Sequence, residues 1–98
     1  MFTPRIQNEQ TDLLMSALLK LDSVEEAYRF CEDVLTVQEL KSITQRLEVA
    51  VMLRDKETYQ EIAKKTGAST ATISRVNRAL QYGAGGYTAV LDSMKDGQ

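Results

Sequence analysis

Residues 58–80 read TYQEIAKKTGASTATISRVNRAL, and the spacing within this stretch decides the fold. Thr58 precedes Glu61 by three residues, the pattern in which a hydroxyl and a carboxylate satisfy the open N–H groups at a helix start. Ile62 and Thr66 then fall on an inward face, and Ala63 is small enough for a second helix to cross there. Gly67 can take the left-handed conformation that ends a helix. Ala68 and Ser69 complete the turn, and the Ser69 hydroxyl is placed to cap the helix that follows. Ile73, Val76 and Leu80 recur at steps of three and four and form the inward stripe of that helix. Two short helices packed around a glycine turn make a helix-turn-helix over about residues 58–81.

The second helix keeps Thr70, Ala71, Ser74, Arg75 and Arg78 for its outward face. Small residues at its start let the backbone approach base edges, and the later guanidinium groups reach guanine or phosphate. In this motif that part of the helix enters the major groove. Arg75 or Arg78 can bond bidentately to guanine O6 and N7, Thr70 or Thr72 can touch bases or thymine methyls, and Ser74 can do either. Tyr59, Gln60 and Lys64 on the preceding helix are placed for phosphates. The candidate contacts to double-stranded DNA are therefore Tyr59, Gln60, Lys64, Ser69, Thr70, Ala71, Thr72, Ser74, Arg75 and Arg78. The same unit can also serve as a protein-interaction module that never meets nucleic acid.

Charge supports the first use only when it is taken locally. The 98-residue chain has a formal net charge of −2. Within residues 58–82, Lys64, Lys65, Arg75 and Arg78 face a single acid, Glu61, so this segment carries +3 and the rest of the chain −5. Attraction to phosphate is screened over about 8 Å at physiological salt, so a basic face on an acidic body is sufficient.

Cys31 is the only cysteine and histidine is absent. This removes disulfides within the chain, zinc-finger thiolate clusters and histidine-based catalysis, so no metal or cofactor is expected. Glu25, Glu26, Glu32 and Asp33 are scattered along one wet helix face, which is no catalytic constellation, and the chain is not expected to be an enzyme. Cys31, beside Phe30 and Val34, reads as a small apolar packing residue. The opening MFTPRIQNEQTDLL has no apolar signal core, and the longest apolar run is only Val49-Ala50-Val51-Met52-Leu53. No membrane span is predicted, and a cytoplasmic location is expected.

Outside the central stretch the chain also reads as helix. Pro4 is the only proline, and four of the five glycines lie at or after Gly83. An all-α single domain is predicted. A first helix, about Asn8 to Leu21, places Leu14, Ala17, Leu18 and Leu21 on one stripe. A second, about Ser23 to Asp33, has Ala27, Phe30, Cys31 and Val34 as its apolar face, with Asp22 and Glu25 marking its start. Thr36 and Glu39 open a third that runs to about Arg54, with Leu40, Ile43, Leu47, Ala50, Val51 and Leu53 as its stripe and Val49 and Met52 flanking it. So broad an apolar surface exceeds what one side of a surface helix needs, and a second subunit would account for the excess. A glycine-rich break at Tyr82–Gly86 separates the helix-turn-helix from a last helix, about Tyr87 to Met94.

Three segments carry a resemblance to a known family: Leu35-Thr36-Val37-Gln38-Glu39, Thr44-Gln45-Arg46-Leu47 and, most specifically, Gly67-Ala68-Ser69-Thr70-Ala71-Thr72-Ile73-Ser74-Arg75. Over most of its length the sequence resembles the Trp repressor superfamily, and more closely its Trp-repressor-like YerC/YecD branch. The resemblance implies a six-helix subunit that intertwines with its twin, the first three helices and the last building a shared core. It also implies a homodimeric transcriptional repressor with recognition helices about 34 Å apart on a roughly palindromic operator. Two arginines enclose the corepressor in the Trp repressor, and the matching residues here are Arg46 and Arg75. The glycine that follows the second arginine there is Val76 here, and the serine that helps hold the ligand's ammonium is Ala79. These replacements remove space and a polar contact, so a corepressor other than tryptophan, or none, is expected. Arg46 can instead act as a structural cation, paired with Glu39, Glu48 or an acid of the partner.

Overall fold

The computed structural model describes residues 2–96, and among these there are six helices and no strand. They are α1 (Glu9–Leu18), α2 (Val24–Val34), α3 (Val37–Arg54), α4 (Tyr59–Thr66), α5 (Thr70–Tyr82) and α6 (Gly86–Asp96). The described chain divides into two compact units, one ending at Val37 and one beginning at Gln38.

In the first unit, α1 starts with a capping box that the sequence reading did not identify. The Asn8 side chain accepts from the Thr11 amide at 2.8 Å, and the Thr11 hydroxyl accepts from the Asn8 amide at 2.8 Å. The helix stops short of the expected Leu21. Its chain tightens after Leu18, where Lys20 N–H donates to the Ala17 carbonyl and Leu21 N–H to the Leu18 carbonyl, the three-residue bonding typical of a helix end. The start of α2 is displaced by one residue from the expected Asp22–Glu25 pair. Ser23 is the N-cap and accepts from the Glu26 amide at 3.1 Å, while the Glu26 carboxylate accepts from the Asp22 amide at 2.8 Å. Neither helix contains a buried residue. Cys31 is half-buried, and Glu25 is taken up by an exposed pair with Arg29.

The second unit has its own core. Val49, Ala50 and Met52 of α3, Ile62 of α4, Ala68 of the turn, and Ile73 and Val76 of α5 form a buried cluster. Leu53, Tyr59, Ala63, Leu80, Tyr87 and Leu91 pack around it. Each fully enclosed aliphatic side chain contributes about 1.5–3 kcal/mol through removal from water. The cluster corrects the expected stripe of α3. Val49 and Met52, placed on its flanks, are buried, whereas Leu40, Ile43, Leu47 and Val51 remain about 40% exposed. The helix has two apolar faces, and its own unit covers only one of them.

Two corners position α4 and α5. After α3 the chain closes a Schellman motif in which Lys56 N–H donates to the Leu53 carbonyl at 3.0 Å and Glu57 N–H to the Met52 carbonyl at 3.1 Å. This puts Lys56 at φ 63°, a left-handed conformation that nothing in its side chain announces. At the far end of α5, a Cβ on Gly83 would collide with the Ala79 carbonyl, so the helix can end there only on glycine. An ion pair between Arg54 and Asp92 ties the end of α3 to α6.

The expected box at Thr58 is present. The Glu61 carboxylate accepts from the Thr58 amide at 2.8 Å and from the Thr58 hydroxyl at 3.0 Å, and the Glu61 amide donates to that hydroxyl at 3.2 Å. The bond from the Thr58 amide, and then that from its hydroxyl, hold the Glu61 carboxyl below its ordinary value of 4.5. A depressed carboxyl adds stability above its unfolded value and loses it as pH falls through the folded one. Thermal melts of wild type and Glu61→Gln should therefore differ at neutral pH and converge as acid protonates Glu61. A constant gap across that range would show that the carboxylate's charge does not stabilise α4.

Candidate nucleic-acid interface

The candidate surface is built on α4, the turn and α5, and several hydrogen bonds shape the turn. Gly67 closes α4 at φ +75°, with its N–H donating to the Ala63 carbonyl at 2.9 Å. The Thr66 hydroxyl donates to the Ile62 carbonyl at 2.7 Å and accepts from the Ala68 amide at 3.1 Å. Gln45, reaching from α3, donates its side-chain N–H to the Thr66 carbonyl at 3.2 Å. Ala68 itself is buried, so the turn is pinned into the core as well as hydrogen-bonded.

A Cβ added at Gly67 meets no atom within 4 Å. The requirement for glycine there is conformational rather than steric. Gly67→Ala should lower stability by about 1–2 kcal/mol through the left-handed backbone alone, read as a shift in the urea midpoint. Gly67→Asn should recover part of the loss, since asparagine tolerates that region. Equal losses in the two variants would point to a side-chain clash instead.

Ser69 caps α5 as expected, accepting from the Thr72 amide at 3.1 Å. Its hydroxyl also donates to the Thr72 hydroxyl at 3.1 Å. Thr72 is half-buried, and of the candidate residues on α5 it is the one turned partly inward. Thr70, Ala71, Ser74, Arg75 and Arg78 are all exposed, and their spacing places them on one face of the helix. Ile73 and Val76 lie on the opposite face inside the core, with Leu80 half-buried. No acidic residue stands in the first turn of α5, so the positive end of its dipole is left uncompensated by carboxylates.

On α4, Gln60 and Lys64 are exposed, and so is Lys65, which the sequence reading had counted only as charge. Tyr59, expected at a phosphate, also has a structural part. Its ring packs against the core cluster and its hydroxyl accepts from the Asn77 side-chain amide at 3.3 Å. The hydroxyl proton stays available to an acceptor outside, but the residue's first task is to join the start of α4 to the middle of α5. The sequence does not point to Gln45 and Asn77 as contributors to this surface, and it gives Ala68 as part of the turn but not as a core residue. Only the small size of Ala68 next to Gly67 was a local hint.

Arg46 on α3 is half-buried and Arg75 on α5 exposed. An open groove of about 630 Å³ runs along α3, walled by Lys41, Thr44, Gln45, Leu47, Glu48, Val51 and Thr66. Neither arginine lines it. Val76 points into the core and Ala79 is half-buried. Among the described residues no group of acidic or cysteine side chains is placed to hold a metal ion, and no helix is long and apolar enough to cross a membrane.

Comparison with known proteins agrees with this geometry along nearly the whole chain. The family model described as Trp repressor protein matches residues 9–95. The chain is 48% identical over 92 residues to the uncharacterized protein YerC of Bacillus subtilis (strain 168), covering 94% of this chain and 88% of that one. Among solved structures, a TrpR-like protein from Eubacterium eligens ATCC 27750 superposes with a TM-score of 0.87 at 50% identity, covering 93% of this chain and 94% of the other. A second structure, from Staphylococcus aureus, gives a TM-score of 0.86 at 46% identity over 93% of this chain and 91% of the other. With this match in sequence and fold, the chain belongs to the Trp repressor family, whose members are regulatory DNA-binding proteins and not enzymes.

Proposed function

We propose that this chain is a transcriptional repressor that binds a roughly palindromic operator as a homodimer in the cytoplasm. The observation that carries this is the outward face of α5. Thr70, Ala71, Ser74, Arg75 and Arg78 are exposed together on a helix that is capped by Ser69 and anchored through Ile73 and Val76. Lys64 and Gln60 extend the same surface toward the backbone phosphates. Support for the dimer comes from apolar side chains that the first unit leaves uncovered: Leu19 is 86% exposed, Leu13 72%, Val24 74% and Tyr28 67%. Large apolar side chains left open in this way mark surfaces that a partner can cover.

The reading invokes no metal or other cofactor. A small-molecule corepressor, if the protein uses one, is a molecule other than tryptophan. Val76 fills the place of a glycine, and Ala79 offers no hydroxyl to an ammonium group. Arg46 and Arg75 remain the candidates for holding any anionic ligand.

Selection of bound sequences from a random DNA pool, followed by gel shifts across a salt series, tests the proposal. A conserved two-fold motif should emerge, bound at nanomolar concentrations with an affinity that falls steeply as salt rises. Sedimentation of the free protein should give twice the monomer mass. Failure to enrich any DNA, together with a stable complex with another protein, would assign the fold to protein interaction instead.

A further inference from the structure

We infer that Gln45 is a positioning residue that latches the helix-turn-helix to α3 and so sets the pose of α5 before DNA arrives. The inference rests on the DNA-binding proposal for its functional consequence, but the latch itself is geometric. Carbonyls in the last turn of a helix have no partner within it. At the end of α4 that of Thr66 is taken by the Gln45 side chain from 21 residues earlier, at 3.2 Å. Both residues are half-buried, where a hydrogen bond is better protected from competing water.

The position of this bond gives it leverage. Thr66 is followed directly by Gly67, Ala68 and Ser69, and Ser69 is the N-cap of α5. The other turn bonds, from Gly67 to Ala63, from Thr66 to Ile62 and from Ala68 to Thr66, are all local. They fix the shape of the corner but not its attachment. Asn77 to Tyr59 joins α5 to α4 and moves with them. Gln45 supplies a side-chain hydrogen bond that fastens the corner to the long helix. It lies beside the groove along α3, whose walls include both Gln45 and Thr66.

Gln45→Met keeps the length of the side chain and removes the donor. Gln45→Glu replaces the donor with an acceptor facing a carbonyl, and serves as the second variant. Loss of one such bond should lower operator affinity about ten-fold, at a temperature well below the melt of either variant. In the neutral Gln45→Met the slope of affinity against salt should stay as in wild type, because the cationic contacts to phosphate in the complex are unchanged. A reduced slope would mean that the variant changes the lysine and arginine contacts to phosphate, and would overturn the inference.

Amide hydrogen exchange on the free protein reads the latch without DNA. Exchange at Ala68, Ser69 and Thr70 should rise in Gln45→Met while amides within the core of α3 keep their protection. Unchanged exchange at the turn, or a uniform rise across the unit, would overturn the inference even if the wild type binds its operator. If the wild type enriches no DNA but turn exchange rises as stated, the latch stands and the DNA-binding proposal fails.

Discussion

Arg75→Ala is expected to weaken binding to a selected operator by at least ten-fold, and Arg78→Ala to do the same or less, in gel shifts at fixed salt. Both guanidinium groups are exposed on the outward face of α5, one turn apart. A bidentate arginine–guanine contact is worth about 1–3 kcal/mol of discrimination, and a two-fold complex would lose it at both half-sites. The two arginines need not share one role, and the assay separates them. Loss of a base contact flattens preference at one operator position while leaving the salt slope in place. Loss of a phosphate contact lowers affinity for all sequences alike and reduces the slope by about one for each copy. Operator affinity retained in both variants would show that this face does not meet DNA.

Ile73→Ala should have the largest effect on folding. Ile73 is 0% exposed in a cluster whose members come from α3, α4, the turn and α5. Truncating a side chain so enclosed costs about 2–5 kcal/mol, part from lost burial and part from the cavity left behind. Against a total stability of about 5–15 kcal/mol for a domain, the helix-turn-helix should lose cooperative unfolding or melt many degrees earlier. Ser74→Ala, its exposed neighbour on α5, should stay within about 0.5 kcal/mol. Calorimetry that found the two variants equally stable would mean that this cluster is not what holds the unit together.

The helix-turn-helix was legible because its determinants are close in sequence. Thr58 with Glu61, Gly67, Ser69 and the stripe Ile73–Val76–Leu80 act within one or two turns of chain, and each takes the conformation or the side its chemistry demands. Cap placement failed where local chemistry was degenerate. Asp22 and Ser23 are both good caps with a glutamate three residues on, and only the backbone decides that Ser23 and Glu26 form the start of α2.

Longer-range features carried no comparable signal. Gln45 meets Thr66 across 21 residues and Arg54 meets Asp92 across 38, distances at which glutamine and arginine look like ordinary surface residues. The expected stripe of α3 is inward at Ala50 and Leu53 but not at Leu40, Ile43, Leu47 and Val51, for a related reason. Periodicity finds apolar faces but cannot say which neighbour covers each one, and here the unit's own core took Val49 and Met52. Tyr59 is expected at a phosphate, and nothing local shows that its ring contributes to packing or that its hydroxyl is shared with Asn77.

The bare condition of α1 and α2 bears on how such a regulator would respond to its own abundance. Neither helix buries a residue within its own unit, so that unit does not supply the cover for their apolar sides. If a second copy supplies it, ordering of the N-terminal third and pairing of subunits become one equilibrium, governed by mass action. Occupancy of the operator would then rise with the square of concentration when protein is scarce, giving a sharper response to synthesis and dilution than a pre-folded monomer could produce.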